Sequence, residues 1–347
     1  MASRVGVLTP FAYPSVRGNA VTVARIAAGL AERGVALRVW DLSVREESAI
    51  VTEVEAYRPA LIHAFHAHRA GPLALTLARR MEIPLVVTFT GTDANHDLFI
   101  PERAAVVRRV LEGAARLTVF HDSIGERVAS ALPDLRARLV VVPQSVGPSA
   151  AEPFDLQARW SLPPGVVSFV FPAGIRAVKN PLLPLGPLGR LIVHFPEIRL
   201  IYVGPVLDPE LGEALLRRLS PLRWARHIGA LPHAQMASLL SQADVVLNCS
   251  VSEGGMANSV LEALMAGRAV LASDIEGNRS LVDDGATGLL FRDEAEFELR
   301  VAQLVRDPDL RARLGRAGQS LVKRQYPLSR EIDGYRDVYR ALIPVPA

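Results

Sequence analysis

Short runs of aliphatic and β-branched residues alternate with helix-period stretches along almost the whole chain, and that alternation leaves few folds open. Strand-like runs at residues 5–9, 36–40, 61–65, 85–89, 116–120 and 139–142 are separated by helical patterns at 21–33, 50–57, 70–81, 102–113 and 123–131. A strand, a helix and another strand imply parallel pairing, because the chain must cross back over the sheet before the next strand starts. Residues 148–164, rich in Pro and Ala and without periodicity, read as a linker. The rhythm then resumes. Strands are expected at 167–172, 199–204, 227–231, 245–250, 270–273 and 288–291. Helices are expected at 181–194, 209–219 and 233–242, after residue 252, near 278–282, and at 309–325. Tyr326 and Pro327 break the pattern before a last helix at 329–342. The chain therefore divides into two doubly wound α/β halves, 1–150 and 151–325, with 326–347 as a closing segment. Its 347 residues suffice for two such cores. Open sheets of this kind bind ligands beyond the carboxyl ends of their strands, so the loops there are where chemistry is sought.

Composition excludes several classes of protein. The lone cysteine, Cys249, supports neither a disulfide framework nor a metal cluster; it follows an apolar run and reads as a small buried hydrophobe in a reducing compartment. No basic segment followed by an apolar one opens the chain, and no apolar run approaches a membrane span, so a cytoplasmic protein is expected. Residues 1–147 hold 17 basic and 14 acidic side chains and the remainder holds 22 of each. That mild basicity suits a phosphorylated acceptor or peripheral contact with an anionic membrane. Without a Lys/Arg cluster or interleaved aromatics it does not suggest nucleic acid.

One segment stands apart, SEGGMANSVLEALMAG from Ser252 to Gly267. It places Glu253 and a glycine pair at a helix entrance, with Glu262 about two turns further on. The N–H groups of Gly254, Gly255, Met256 and Ala257 lack intrahelical acceptors there, and the helix dipole adds partial positive charge, which suits a pyrophosphate. The competing reading is a buried amphipathic helix after a tight turn. Gly174 to Asn180, GIRAVKN, follows the first strand of the second half and puts Arg176 and Lys179 at its carboxyl end. Lysine is otherwise found only at position 323, so a compact ammonium at 179 reads as a choice. Fixed cations there would stabilise a departing diphosphate, unless the two are merely a solvated loop pair.

The first half offers weaker signals. Gly18 and Asn19, after Arg17, open its first helix, but the GxGxxG spacing of a nicotinamide site is missing and a structural turn is the alternative. His63, His66 and His68 with Arg69 end the third strand and start the next loop. No carboxylate or cysteine set completes a metal site, so no metal is expected, and His66, past the strand and expected to be exposed, is the candidate for a sugar or acceptor contact. Thr88 to Asp93, TFTGTD, ends the fourth strand, and Asp93, Asn95 and Asp97 read as a polar loop.

These motifs together resemble the retaining family 4 glycosyltransferases, whose donor-side pattern is Ser-Glu-Gly, a short apolar run, Leu-Glu-Ala and Ala-Gly. The spacing of Glu253 and Glu262 is one residue longer than usual in that family, and the glycine pair makes the loop the expected place of the insertion. RGNAVTVARIA from Arg17, HAHRAG from His66, FTGTD from Phe89, PQSV from Pro143 and EGNRSLV from Glu276 look like the branch of the glycosyltransferase 1 domain-containing proteins and, more distantly, the selenosugar synthases.

The resemblance implies a GT-B fold, two Rossmann-like domains facing across a cleft. Residues 1–150 would form the acceptor side and 151–325 the nucleotide-sugar side, with 326–347 a helix returning to the first. It further implies a metal-independent retaining hexosyl transfer from a nucleotide-sugar donor, expected to be a UDP-sugar, to a small-molecule acceptor, with no cofactor. Glu253, Lys179, Arg176 and His66 are the expected catalytic group. Gly18, Asn19, Arg176, Lys179, Gly254, Gly255, Met256, Ala257, Asn258 and Glu262 are the expected donor-binding set, Glu262 on the ribose and Glu253 at the sugar. Relatives carry a histidine near position 90, where this chain has Thr90; Thr90, Thr92 or Asp93 would take its place. A sugar-nucleotide epimerase on the same fold and a non-catalytic nucleotide-sugar-binding protein are the alternatives.

Overall fold

Strands buried on both faces have no need to alternate apolar with polar residues, and the central strands of this protein do not. A computed structural model of the chain describes residues 4–147, 152–160 and 162–344. The elements of the first part are β1 (Arg4–Thr9), α1 (Gly18–Glu32), β2 (Ala36–Asp41), α2 (Glu47–Tyr57), β3 (Leu61–Phe65), α3 (Gly71–Arg80), β4 (Leu85–Thr88), α4 (Pro101–Glu112), β5 (Arg116–Val119), α5 (Asp122–Ala131) and β6 (Leu139–Val141). They build a six-stranded parallel sheet in the order β2-β1-β3-β4-β5-β6. All five residues of β3 are buried, whereas β2, at the edge, alternates exposed and half-buried positions over most of its length.

The second part comprises α6 (Leu156–Trp160), β7 (Val167–Pro172), α7 (Leu185–Leu191), β8 (Ile198–Val203), α8 (Pro209–Leu219), β9 (Ala225–His227), α9 (His233–Ser241), β10 (Val245–Asn248), α10 (Asn258–Met265), β11 (Ala269–Ser273), α11 (Glu276–Arg279), β12 (Leu289–Phe291), α12 (Glu294–Arg306) and α13 (Pro308–Gln325). The last helix, α14 (Leu328–Arg340), follows. The second sheet is also six-stranded and parallel, in the order β12-β11-β10-β7-β8-β9. By contacts the chain separates into two compact units. One holds Met1–Ser145, Gly254–Met256 and Pro327–Ala347, and the other holds Val146–Glu253 and Ala257–Tyr326.

The core of the first unit shows why α14 belongs to it. Along β1, Val5 and Val7 point to one face of the sheet, where Val23, Ile26 and Leu30 of α1 meet Ile332, Tyr335 and Tyr339 of α14. Leu8 points to the other, among residues of α2, α3, α4 and α5. Arg25 of α1 donates from Nε and Nη2 to both carboxylate oxygens of Glu331 at 2.8 and 2.9 Å, and Glu331 is fully buried. His63 of β3 completes the clasp through Nδ1 and the Tyr339 hydroxyl, 2.7 Å apart, while its Nε2 meets Thr88 Oγ1 at 2.6 Å. Burial lowers the His63 pKa to about 3, so the ring is neutral.

Several boundaries differ from those expected, each for a local reason. Only Leu185–Leu191 of residues 181–194 is α-helical, since Pro181 and Pro184 withhold N–H groups at its start. The expected strand at 227–231 is β9, two residues earlier, paired Leu200↔Ala225 and Tyr202↔His227; Gly229 then turns the chain at φ +81 ahead of Pro232. Helix α12 is an addition. Asp293 caps it by accepting from Glu296 N at 2.9 Å, an Asp-x-x-Glu signal that was there to be seen. The expected linker contains α6, started by Asp155 accepting from Ala158 N at 2.9 Å. Pro148–Ala151 and Ser161, and with them the expected division at 150/151, lie outside the described residues. No described helix is long and apolar enough to cross a membrane.

Candidate active site

Each sheet has one place where the order of its strands reverses direction, and there the loops leaving two neighbouring strands run apart and leave room for a ligand. In the second sheet the reversal lies between β7 and β10. The loop after β7 carries Arg176 and Lys179, and the loop after β10 carries Ser250 and Glu253. Lys179 closes a short 3₁₀ turn, Ala177–Lys179, and Asn180 leaves it in the left-handed region at φ +49. That turn directs the Lys179 ammonium onto Glu253 Oε1 as an ion pair whose side chains are 15% and 11% exposed. The same oxygen accepts from Ser250 Oγ at 2.6 Å and from Asn248 Nδ2 at 3.2 Å. Arg176, one turn earlier, is exposed.

Behind this pair stands a shell of amides and hydroxyls that the sequence reading passed over. Asn248 Oδ1 accepts from Ser250 N at 3.1 Å and from Asn278 Nδ2 at 3.3 Å, and Asn278 Nδ2 also donates to Ser273 O at 2.9 Å. Asn248 and Asn278 are buried. The signal for Asn248 was a polar residue at the carboxyl end of an otherwise apolar strand; Asn278, inside α11, carried none. Gly277 is required by the same packing: a Cβ there would stand 2.5 Å from Glu253 Cβ. Burial tends to raise the Glu253 pKa, but the Lys179 charge and the hydrogen bonds from Lys179, Ser250 and Asn248 outweigh it and hold the carboxyl below its ordinary value of 4.5. At neutral pH Glu253 is therefore an anion.

Helix α10 starts at Asn258 with Ala257 as its cap residue, so Gly254, Gly255 and Met256 precede the helix instead of forming its mouth. Gly255 has φ +110, a conformation that side chains resist. The glycine pair, the expected place of the extra residue, thus lies in the loop ahead of the helix that carries Glu262. Glu262, in the second turn, is 16% exposed and accepts from His233 Nε2 of α9 at 2.8 Å. His233 was not singled out from the sequence, because a histidine opening a helix carries no signature.

The first sheet reverses between β1 and β3. Gly18 and Asn19 start α1, and Asn19 Nδ2 donates to Thr9 Oγ1 at 2.7 Å, closing the loop that leaves β1. His66, expected to be exposed, is 5% exposed and adopts φ +87. Its N–H bonds Thr88 O at 2.9 Å, and its ring is tucked beneath the loop that follows β4. Arg69 N donates to Nδ1 at 3.2 Å, so the ring proton of the neutral form sits on Nε2 and is shared with Thr92 Oγ1 at 2.9 Å. Burial lowers the pKa of His66; Asp93 opposes this, while Arg69 adds to it. Asp93 itself gathers four backbone N–H groups, of Ala67, Thr90, Gly91 and Ala94, at 2.8 to 3.2 Å. Residues Asp93–Asp97 form a single π-helical turn, not an open polar loop. The three histidines do not converge, since His63 is spent on Tyr339 and Thr88 and His66 on Thr92. Among the described residues no group of three or more His, Cys, Asp or Glu side chains could hold a metal ion.

Residues 168–307, the stretch that carries all of the second-sheet site, match the family described as glycosyl transferases group 1. The chain is 27% identical over 335 residues to glycosyltransferase 1 domain-containing protein 1 of Xenopus tropicalis, with 94% of each chain covered. These matches support the glycosyltransferase group 1 family. Solved structures agree on the fold. Anabaena HepE in complex with UDP-glucose superposes with a TM-score of 0.79 at 15% identity, over 98% of this chain and 100% of that one. Sucrose-phosphate synthase from Thermosynechococcus elongatus does so with 0.81 at 17%, over 98% and 99%. The two parallel six-stranded sheets of this chain are those of the GT-B fold.

Proposed function

We propose that this protein is a retaining glycosyltransferase that moves a hexose from a UDP-sugar to an acceptor hydroxyl without a metal ion. The observation that carries the proposal is the Lys179–Glu253 pair at the reversal point of the second sheet, braced by Asn248, Ser250 and Asn278, with Glu262 held by His233 on the helix that follows. The second unit would bind the donor and the first the acceptor. HepE, which shares the fold, was solved with UDP-glucose, and that supports UDP as the carrier. The likeness to the glycosyltransferase 1 domain-containing protein supports that branch; the likeness to selenosugar synthases rests on the loop motifs alone.

In this reading Arg176 and Lys179 face the diphosphate, where their fixed charge stabilises the leaving group at little reorganisation cost. Glu262 accepts from ribose hydroxyls, and the N-terminal turn of α10 meets the phosphates. The bond between the anomeric carbon and the phosphate oxygen breaks, and the acceptor oxygen bonds that carbon on the same face. The acceptor proton passes to the departing phosphate. Glu253, ionised beside Lys179, steadies the positive charge that builds at the anomeric carbon. A donor-bound Lys179 must serve both the carboxylate and the phosphate, which its three N–H donors permit. His66 and Thr92 would line the acceptor side.

The test is a thermal-shift panel of nucleotides and nucleotide sugars, since a ligand that binds only the folded chain raises its melting temperature by mass action. UDP and one UDP-sugar are expected to stand out. NMR of the sugar released from that donor should show the donor's own anomeric configuration first. Absence of any shift across the panel, or release with inverted configuration, would refute the reading.

A further inference from the structure

Gly254, Gly255 and Met256 pack with the first unit, although Glu253 before them and Ala257 after them belong to the second. These residues form the loop ahead of α10, so whatever holds them sets the path by which the chain enters that helix. The hold is specific at both ends. Gly254 lies against the loop that follows β4: a Cβ on it would stand 2.5 Å from Gly91 Cα and 2.7 Å from Thr90 O, and only glycine fits. Met256, 3% exposed, is held by Gln144, just beyond β6 in the PQSV stretch. The main-chain N–H of Gln144 donates to Met256 Sδ at 3.3 Å, and its Nε2 donates to Met256 O at 3.3 Å. Its Oε1 accepts from Thr22 Oγ1 of α1, also at 3.3 Å, which decides that the amino end of the amide faces Met256.

Gln144 is buried. An amide taken out of water destabilises the fold unless its polar atoms are met, whereas an apolar side chain of the same size would pack there without that requirement. What glutamine adds at this position is a donor for one carbonyl. The hydrogen-bond ladder of α10 begins at Ala257 O, which accepts from Val260 and Leu261 N, so Met256 O stands one residue ahead of the first helical acceptor. Gln144 supplies the partner that the helix does not. Gly255, between the two anchors, keeps φ +110. A loop able to leave that conformation would have to be ordered afresh whenever a ligand used its N–H groups, and the affinity would fall by that ordering entropy.

We propose that Gln144 is a positioning residue for the donor: by holding Met256 it keeps the loop of Gly254, Gly255 and Met256 preformed at the entrance of α10. Gln144 itself touches no ligand and acts through the loop. The inference rests on the glycosyltransferase reading for the ligand, a nucleoside diphosphate at that entrance, but not for the anchoring of the loop.

Calorimetric titration of UDP and hydrogen–deuterium exchange, both on the full chain, test it with two variants and a control. Gln144→Met is unbranched and similar in size, and it removes both side-chain hydrogen bonds. Thr22→Val leaves Gln144 in place but takes away the hydroxyl that orients its amide. Ile332→Val trims the core of the same unit away from the loop. UDP should bind about fivefold more weakly to Gln144→Met and about twofold more weakly to Thr22→Val, as loss of a neutral hydrogen bond predicts. The amides of residues 255–257 should exchange faster in both variants, and saturating UDP should return them to the wild-type rate. Ile332→Val should lower the melting temperature and change neither readout, which separates positioning from general stability.

Wild-type UDP affinity in both variants, unchanged exchange at residues 255–257, or the same losses in Ile332→Val would each overturn the proposal. Should Gln144→Met fail to fold, Thr22→Val decides by the same outcomes. Failure of UDP to bind the wild type would sink the glycosyltransferase reading, and the exchange rates of the unliganded chains would then judge the anchoring of the loop by themselves.

Discussion

The reversal points of the two sheets are topological counterparts with opposite electrostatic character. In the second sheet the charges are matched, Lys179 against Glu253, with a backing of Asn248, Ser250 and Asn278 that satisfies the carboxylate before any ligand arrives. In the first sheet the histidine is neutral, the carboxylates are consumed by backbone N–H groups and by Arg103, and Arg17 and Arg69 lie against the Phe11 ring with no ion pair among the described residues. A matched site holds its geometry and waits for a ligand that re-divides its hydrogen bonds. The difference suggests that the second unit supplies the fixed chemistry and the first unit the selectivity.

Breaking the matched pair should have the largest effect. Lys179→Ala leaves Glu253 largely buried without its cation and is expected to cost about 3 kcal/mol in urea unfolding. Donor hydrolysis should fall by about 100-fold or more. Adding Glu253→Gln should restore much of the stability and none of the turnover; additive losses in that double-mutant cycle would mean the two groups do not interact as described. Gly277→Ala comes next. Its methyl group has to displace Glu253, which predicts a loss of about 1–3 kcal/mol together with reduced turnover. Gly189→Ala, in α7 with its nearest neighbour 3.7 Å away, serves as the control and should be neutral or stabilising.

The clasp between β3 and α14 sharpens the comparison through pH. Folded His63 refuses a proton until about pH 3, whereas in the unfolded chain it takes one up below 6.5, so falling pH favours unfolding across that window. One such histidine costs about 1.4 kcal/mol per pH unit. His66, also lowered, contributes in the same direction. Glu253 acts in the lower part of the range, its depressed pKa adding stability above 4.5 that is lost as pH falls through the folded value. Between pH 6.5 and 4.5 the slope therefore reports the histidines, and His63→Gln should flatten it by one proton's share. An unchanged slope would place the proton uptake elsewhere. The smallest effect is expected from His233→Ala, which removes the hydrogen bond that orients Glu262. UDP affinity should drop by about three- to tenfold with little change in melting temperature.

The sheets were legible from the sequence because buried parallel strands write themselves as unbroken apolar runs. The sequence carried the approximate position of β7, β10 and β11, and so the loops that follow the first two. What it did not carry was pairing. That Lys179 meets Glu253 depends on β7 lying beside β10, a consequence of strand order rather than of local pattern. Asn248, Asn278 and His233 were missed for the same reason, each acting through a partner distant in the chain. His66 was misplaced because its burial comes from the turn at Asp93–Asp97, whose π-helical form has no simple sequence signature. The helix start was assigned too early, since the glycine pair suits a phosphate loop whether it lies within a helix or ahead of it.

The central claim is that the Lys179–Glu253 site and Glu262 together hold a uridine diphosphate. Calorimetric titration of UDP into the wild type, Lys179→Ala and Glu262→Gln tests it most directly. The account predicts saturable binding to the wild type, weakened by about tenfold or more in each variant. Wild-type affinity retained in both variants would contradict it.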